Sequence, residues 1–171
     1  MSATLAYRGY TPTLSVKARA VPIVSTMLGS LMPGLLPIIA QAPIVPPFGL
    51  MVLLAWRLLR PGLWAVWAPL PLGFFDDLAS GQPVGSAMLS WTVAFLAIEF
   101  SERSLLWRDY LQDWFAASAA IAGCIFAGYV FALFAGSTAP IFAIVPQIVA
   151  SMLFFPAVAR LCARLDAWRL K

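Results

Sequence analysis

The sequence predicts an all-α integral membrane protein: a six-transmembrane-helix bundle with both termini cytoplasmic. Three observations carry the prediction. The first is composition, since 62% of the 171 residues are hydrophobic and 11% charged, with a mean hydropathy of +0.89. A soluble domain carries about 25% charged and 45–50% apolar residues, so one small core cannot hide this much apolar surface. The second is a succession of apolar runs separated by Pro/Gly turns or charged stretches. The third is the way the basic residues sort once those runs are counted as crossings.

The elements follow in order. A polar leader, residues 1–19, precedes the first apolar run at 20–42, which reads as an uncleaved first span rather than a secretory signal. Pro22 suits a helix start there, whereas Pro33 and Pro37 should kink or break the helix. A tight turn at 43–47 leads to a short second run, 48–56, closed by Arg57 and Arg60. Its length is marginal for a bilayer core about 30 Å thick. The third run, 63–75, ends at Asp76-Asp77 and can continue to Ala79. After a Gly/Pro turn at 80–85 comes the fourth span, 86–100, with Ser86 as its expected N-cap. The charged stretch 101–113, the fifth span 114–135, a turn at 136–140 and the sixth span 141–159 complete the transmembrane domain, residues 20–160. A basic tail, 161–171, closes the chain.

Charge placement decides the count. With six crossings and the leader inside, every one of the 11 basic residues falls on the inner side, and the outer loops keep only Asp76 and Asp77. Five crossings would put one of the two basic ends outside, against the positive-inside tendency. The short second run is therefore read as a tilted or bilayer-thinning crossing. Arginine outnumbers lysine nine to two, a usage that fits a GC-rich bacterial genome.

Several function classes are disfavoured. The basic residues form no tract, so nucleic acid is not expected. Histidine is absent, which removes the commonest general base and metal ligand. Cys124 and Cys162 have no spacing partner that reads as metal or redox chemistry, and no disulfide is expected between them. The Asp76-Asp77 pair lacks a third carboxylate to help hold Mg²⁺ and a basic residue on its side to grip phosphate. No catalytic residue, metal or cofactor is expected.

Three signals remain. A carboxylate at the end of the third span faces the negative end of its own helix dipole and is costly at membrane depth. Asp77 therefore either sits in a solvated outer loop, with Gly81 ending the helix, or is buried and ties two helices together. Adjacent positions point about 100° apart, so Asp76 and Asp77 are not both expected to face inward. Leu106, Tyr110 and Trp114 recur at helical spacing in the inner stretch, with Glu99 and Arg103 as an i,i+4 pair. They describe a candidate helix lying at the cytoplasmic interface, or simply an aromatic belt. Ala119, Gly123 and Ala127 form a small-residue face on the fifth span, which permits close helix contact, inside the bundle or with a partner. In the first span Ser25 with Gly29, and Ser30 with Gly34, offer similar spacing.

The residues Gly73, Asp77, Ser80, Gly81 and Gly85, with the apolar span after them, resemble the central region of the MreD family of bacterial rod shape-determining membrane proteins. The likeness extends over most of the chain in size, span count and loop length, while Asp76 is an extra carboxylate beside the motif. The resemblance implies a non-enzymatic scaffold of the cell-elongation (rod) complex in the bacterial inner membrane. Its implied partners are an MreC-type protein, a SEDS glycosyltransferase and a class B penicillin-binding protein, serving cell shape and lateral peptidoglycan synthesis. It also implies a fold similar to the substrate-binding S-components of vitamin ECF transporters. That feeds the alternative reading, a small-molecule carrier or the substrate-binding subunit of a transporter. Against it, the spans hold few polar side chains (Gln41, Ser90, Thr92, Ser118, Gln147 and Ser151), none of them a charge.

Overall fold

A computed structural model describes residues 16–35, 45–104 and 110–169, without the side chains of residues 16–19 and 102–104. The described residues form six α-helices and one 3-10 turn, with no strand among them: α1 (Val16–Leu35), α2 (Phe48–Leu59), α3 (Pro69–Ser80), α4 (Ser86–Ser104), α5 (Tyr110–Phe134), the 3-10 turn Ile141–Ile144, and α6 (Val145–Arg169).

α2 sits at the centre. Residues Gly49 to Leu58 are buried without a break, and a helix that is apolar all round has no solvent face to present. Around it run α1, α3, α4, α5 and α6, each packed on the next. Trp56, Leu53, Leu54 and Met51 of α2 are wholly enclosed. At 12 residues α2 is about 18 Å long, and all of it but its two end residues is buried.

Two shell helices, α5 and the segment Ile141–Arg169, are long and apolar enough to cross a bilayer. Only 28% and 22% of their most apolar windows are buried within the bundle. Phe134 is 85% exposed, Phe142 79% and Leu153 72%. A water-soluble monomer rarely shows contiguous apolar patches beyond a few hundred Å². The architecture is compatible with a helical membrane protein.

Several boundaries differ from the sequence expectations for local reasons. α1 begins before Pro22, so Pro22 lies inside the helix, and the hydroxyls of Ser25 and Thr26 donate to its carbonyl at 3.0 and 2.8 Å. Pro33 is likewise accommodated in the last turn; Pro37, Gln41 and the turn expected at 43–47 fall wholly or partly outside the described residues. α3 starts at Pro69, not near Leu63, because Pro61 and the left-handed Gly62 (φ 85°) turn the chain and Pro69 opens the helix. Pro at the first helical position costs nothing, since that N–H has no intrahelical acceptor. α6 continues ten residues past Ala159 to Arg169, so most of the expected basic tail is helix.

Candidate functional site

The motif residues converge on the hairpin of α3 and α4. Gly73 and Asp77 stand one turn apart on the face of α3 that meets α4. A Cβ on Gly73 would lie 2.7 Å from Met88 Cα, 2.8 Å from Met88 N and 2.9 Å from the Ala87 carbonyl carbon. The backbones touch, and only glycine permits it. Gly81 ends α3 in the left-handed conformation (φ 67°), and Gly85 enters α4 with φ 99°. Ser80 donates to the Asp76 carbonyl at 2.7 Å and stays exposed at the turn.

Asp77 is 1% exposed, so of the two readings open in the sequence the buried one holds. Its carboxylate accepts from Gly85 N at 2.7 Å, Ala87 N at 2.8 Å and Ser86 Oγ at 2.9 Å, with Met88 N at 3.4 Å. It caps α4 from outside that helix, meeting the amides that have no intrahelical acceptor. The positive N-terminal end of α4 thus overrides the negative end of α3's own dipole. Ser86, expected as the N-cap, instead donates its hydroxyl to the carboxylate.

Asp76 also turns inward, contrary to expectation, because α3 has neighbours on two sides: α4 receives Asp77, and the crossing of α1 and α2 receives Asp76. That crossing is glycine on glycine. A Cβ on Gly29 would meet Gly49 N at 3.1 Å, and one on Gly49 would meet Asp76 Oδ1 at 3.1 Å and would overlap Ser30 Oγ. The Ser30 hydroxyl is buried without a hydrogen bond of good geometry.

Beside Asp76 a cavity of about 340 Å³ opens among α2, α3, α4, α5 and the start of α6. Leu50, Trp91 and Ile125 form its buried floor, and Gln82, Pro83, Ser137 and Ala139 its exposed rim. Ser90, Tyr129 and Gln147 supply further polar atoms. The sequence showed Ser90 and Gln147 as rare polar residues within spans, but not that they share one cavity with a carboxylate.

A second concavity, about 460 Å³, runs between α4 and α5 from Ser101 and Ala116 to Leu89 and Phe131. The 15-residue separation of Ala116 and Phe131 corresponds to about 22 Å of helix. Ala119, Gly123 and Ala127 lie in it, facing Ala94 and Ala97 of α4. Gly123 is exposed, and a Cβ there would meet nothing within 4 Å. The small-residue face is therefore not consumed by packing inside the bundle. Cys124, next to Gly123, is buried with its thiol directed at the Ser90 carbonyl at 3.4 Å. Both cysteines are free and buried.

The opposite end of the bundle gathers charge. Arg57 meets Glu99 at 3.4 Å and lies 5.2 Å from the Phe95 ring centroid. Asp166 accepts from Arg60 at 2.9 Å and from Arg169 at 2.6 Å, and Arg169 stacks over Trp56 at 4.8 Å. These pairs join α2 to α4 and α6. Glu99 thus serves Arg57, while Arg103's side chain lies outside those described. Of the candidate interfacial helix, Tyr110 and Trp114 stand in the first turns of α5, with Trp114 Nε1 donating to the Met152 carbonyl at 3.2 Å. Leu106 lies outside the described residues.

Among the described residues no three His, Cys, Asp or Glu side chains gather as a metal site. No protein-family profile, no curated protein and no solved structure matches the chain.

Proposed function

We propose that the chain is a non-catalytic scaffold of the bacterial cell-elongation complex. In this reading it crosses the inner membrane six times, with both termini in the cytoplasm. It supports cell shape and lateral peptidoglycan synthesis by holding the single transmembrane helix of an MreC-type protein, and it steadies the SEDS glycosyltransferase and class B penicillin-binding protein beside it. The observation that carries the reading is the α4–α5 groove. It is apolar, floored by small residues, and about 22 Å long by the helical rise. Helices in lipid associate through close backbone approach across such faces, because lipid tails are as apolar as leucine and supply no hydrophobic drive.

Two further observations support it. The MreD-like residues build a rigid α3–α4 hairpin next to that groove, which is scaffold work rather than chemistry. The described basic residues Arg57, Arg60, Arg160, Arg164 and Arg169 belong to the end of the bundle opposite the Asp76-Asp77 end, as a cytoplasmic face requires. The test is co-expression with an MreC-type protein and purification in mild detergent. The pair should co-purify, Gly123→Leu should break the pair while leaving the bundle folded, and deletion should round the cells. Extraction of the chain alone, with rod shape intact after its loss, defeats the proposal.

A further inference from the structure

The cavity beside Asp76 has a chemistry that the scaffold role does not use. Among the described residues its one charged lining side chain is Asp76, and no lysine or arginine lines it. Asp77, next in the chain, is buried and already engaged by the Gly85 and Ala87 amides and the Ser86 hydroxyl, so among the described residues only Asp76 offers charge to an occupant.

The remaining polar groups lean the same way. A hydroxyl has one proton and two lone pairs. The Tyr129 hydroxyl gives its proton to the Ala139 carbonyl at 3.0 Å, and the Ser90 hydroxyl gives its own to the Ala87 carbonyl at 3.3 Å. The Gln147 amide donates to the Val45 carbonyl at 2.8 Å, which leaves its oxygen open. The Tyr129 and Ser90 hydroxyls can therefore only accept from an occupant, while donors remain on the amides of Gln82 and Gln147 and, at the rim, on the Ser137 hydroxyl, whose oxygen accepts from Ala139 N at 3.3 Å. At about 340 Å³ the space equals roughly ten water volumes, far beyond a bare metal ion and within the range of small-molecule sites. Leu50, Trp91 and Ile125 give it an apolar floor.

From this we infer that the cavity binds a small organic cation, a protonated amine on an apolar body, with the Asp76 carboxylate as its counter-ion and the hydroxyl and amide oxygens accepting its remaining N–H groups. The mouth, at Gln82, Pro83, Ser137 and Ala139, lies at the end of the bundle remote from the arginines, so an entering cation meets no repelling charge among the described residues. The inference is independent of the scaffold role, since the groove is a separate concavity that shares only Ser90 and Cys124 with the cavity.

The experiment uses the full chain in a neutral detergent, with benzylamine as probe and benzyl alcohol as its uncharged counterpart. Binding is followed by saturation-transfer NMR against empty micelles. Benzylamine should bind saturably, and benzyl alcohol at least about tenfold more weakly, the factor expected for loss of a charge-assisted hydrogen bond. Asp76→Asn should remove that preference. Gly128→Leu, placed on the cavity wall where a Cβ meets only Gln82 Oε1 at 3.9 Å, should weaken both probes by filling the space. Absence of saturable benzylamine binding, equal binding of the two probes, or a preference that survives Asp76→Asn overturns the inference. Co-purification of Asp76→Asn with the MreC-type protein is read separately, so failure of the amine site leaves the scaffold proposal standing, and the reverse.

Discussion

Replacing Asp77 by alanine tests the hairpin that organises the candidate site. The carboxylate takes three hydrogen bonds shorter than 3 Å, two of them from backbone amides at the entry to α4. Loss of a helix cap costs about 0.5–2 kcal/mol, and each buried amide left without an acceptor costs about 1–3 kcal/mol. Water entering from the exposed turn at Gln82–Val84 relieves part of this, which leaves a net loss of about 3 kcal/mol. On the scale of soluble domains of this size that lowers the melting temperature by about 6–12 °C. Asp77→Asn keeps one acceptor oxygen but sets an NH₂ against an amide N–H, so about 2 kcal/mol is expected. Ser86→Ala removes a single donor and should cost about 1 kcal/mol. The assay is thermal unfolding in one detergent followed by tryptophan fluorescence, with buried Trp91 of α4 reporting locally. An Asp77→Ala protein melting within about 2 °C of the native chain would refute the trans-capping argument.

Other substitutions separate fold from function. Gly73→Ala should cost about 1–3 kcal/mol by overpacking, because its Cβ meets Met88 and Ala87 backbone rather than a side chain that can swing away; the same melting assay reads it. Gly123→Ala should leave the isolated bundle unchanged or stabilise it by up to about 1 kcal/mol, since its Cβ points into the open groove. Asp166→Ala should destabilise by about 3 kcal/mol, the low end for breaking a buried pair, because Arg169 keeps its stacking on Trp56; Arg60→Ala, on the half-exposed partner, should cost less than about 1 kcal/mol. With both native thiols buried, single cysteines placed at Ser137 and Gly62 should react with impermeant reagent from opposite sides of the membrane, and labelling of both from one side would contradict the crossing scheme.

The elements legible in the sequence were those set by composition and punctuation. α4 and α5 appear within a few residues of their expected limits because Gly85 and Gly136 interrupt long apolar runs. α2 was marginal by length alone. Its freedom from any polar residue before Arg57 was the mark of a core helix, which has no solvent face to present. The start of α3 was misread because Leu63 and Trp64 are apolar without being helical; they pack against the core as a turn. The partners of the charges were not legible at all. Arg57 with Glu99 and Arg60 with Asp166 are pairs 42 and 106 residues apart, and a local pattern could offer only Glu99 with Arg103. Likewise, the 100° between Asp76 and Asp77 was sound geometry, but it excludes a shared direction, not two inward directions toward different neighbours.

The scaffold proposal is tested most directly by photo-crosslinking in living cells from single positions in the α4–α5 groove. A crosslinking side chain at Gly123 or Ala97 should capture the transmembrane helix of the MreC-type protein, while one at Leu153, exposed on α6, should not. Equal capture from both faces, or lipid adducts alone from Gly123, would contradict the assignment of that groove.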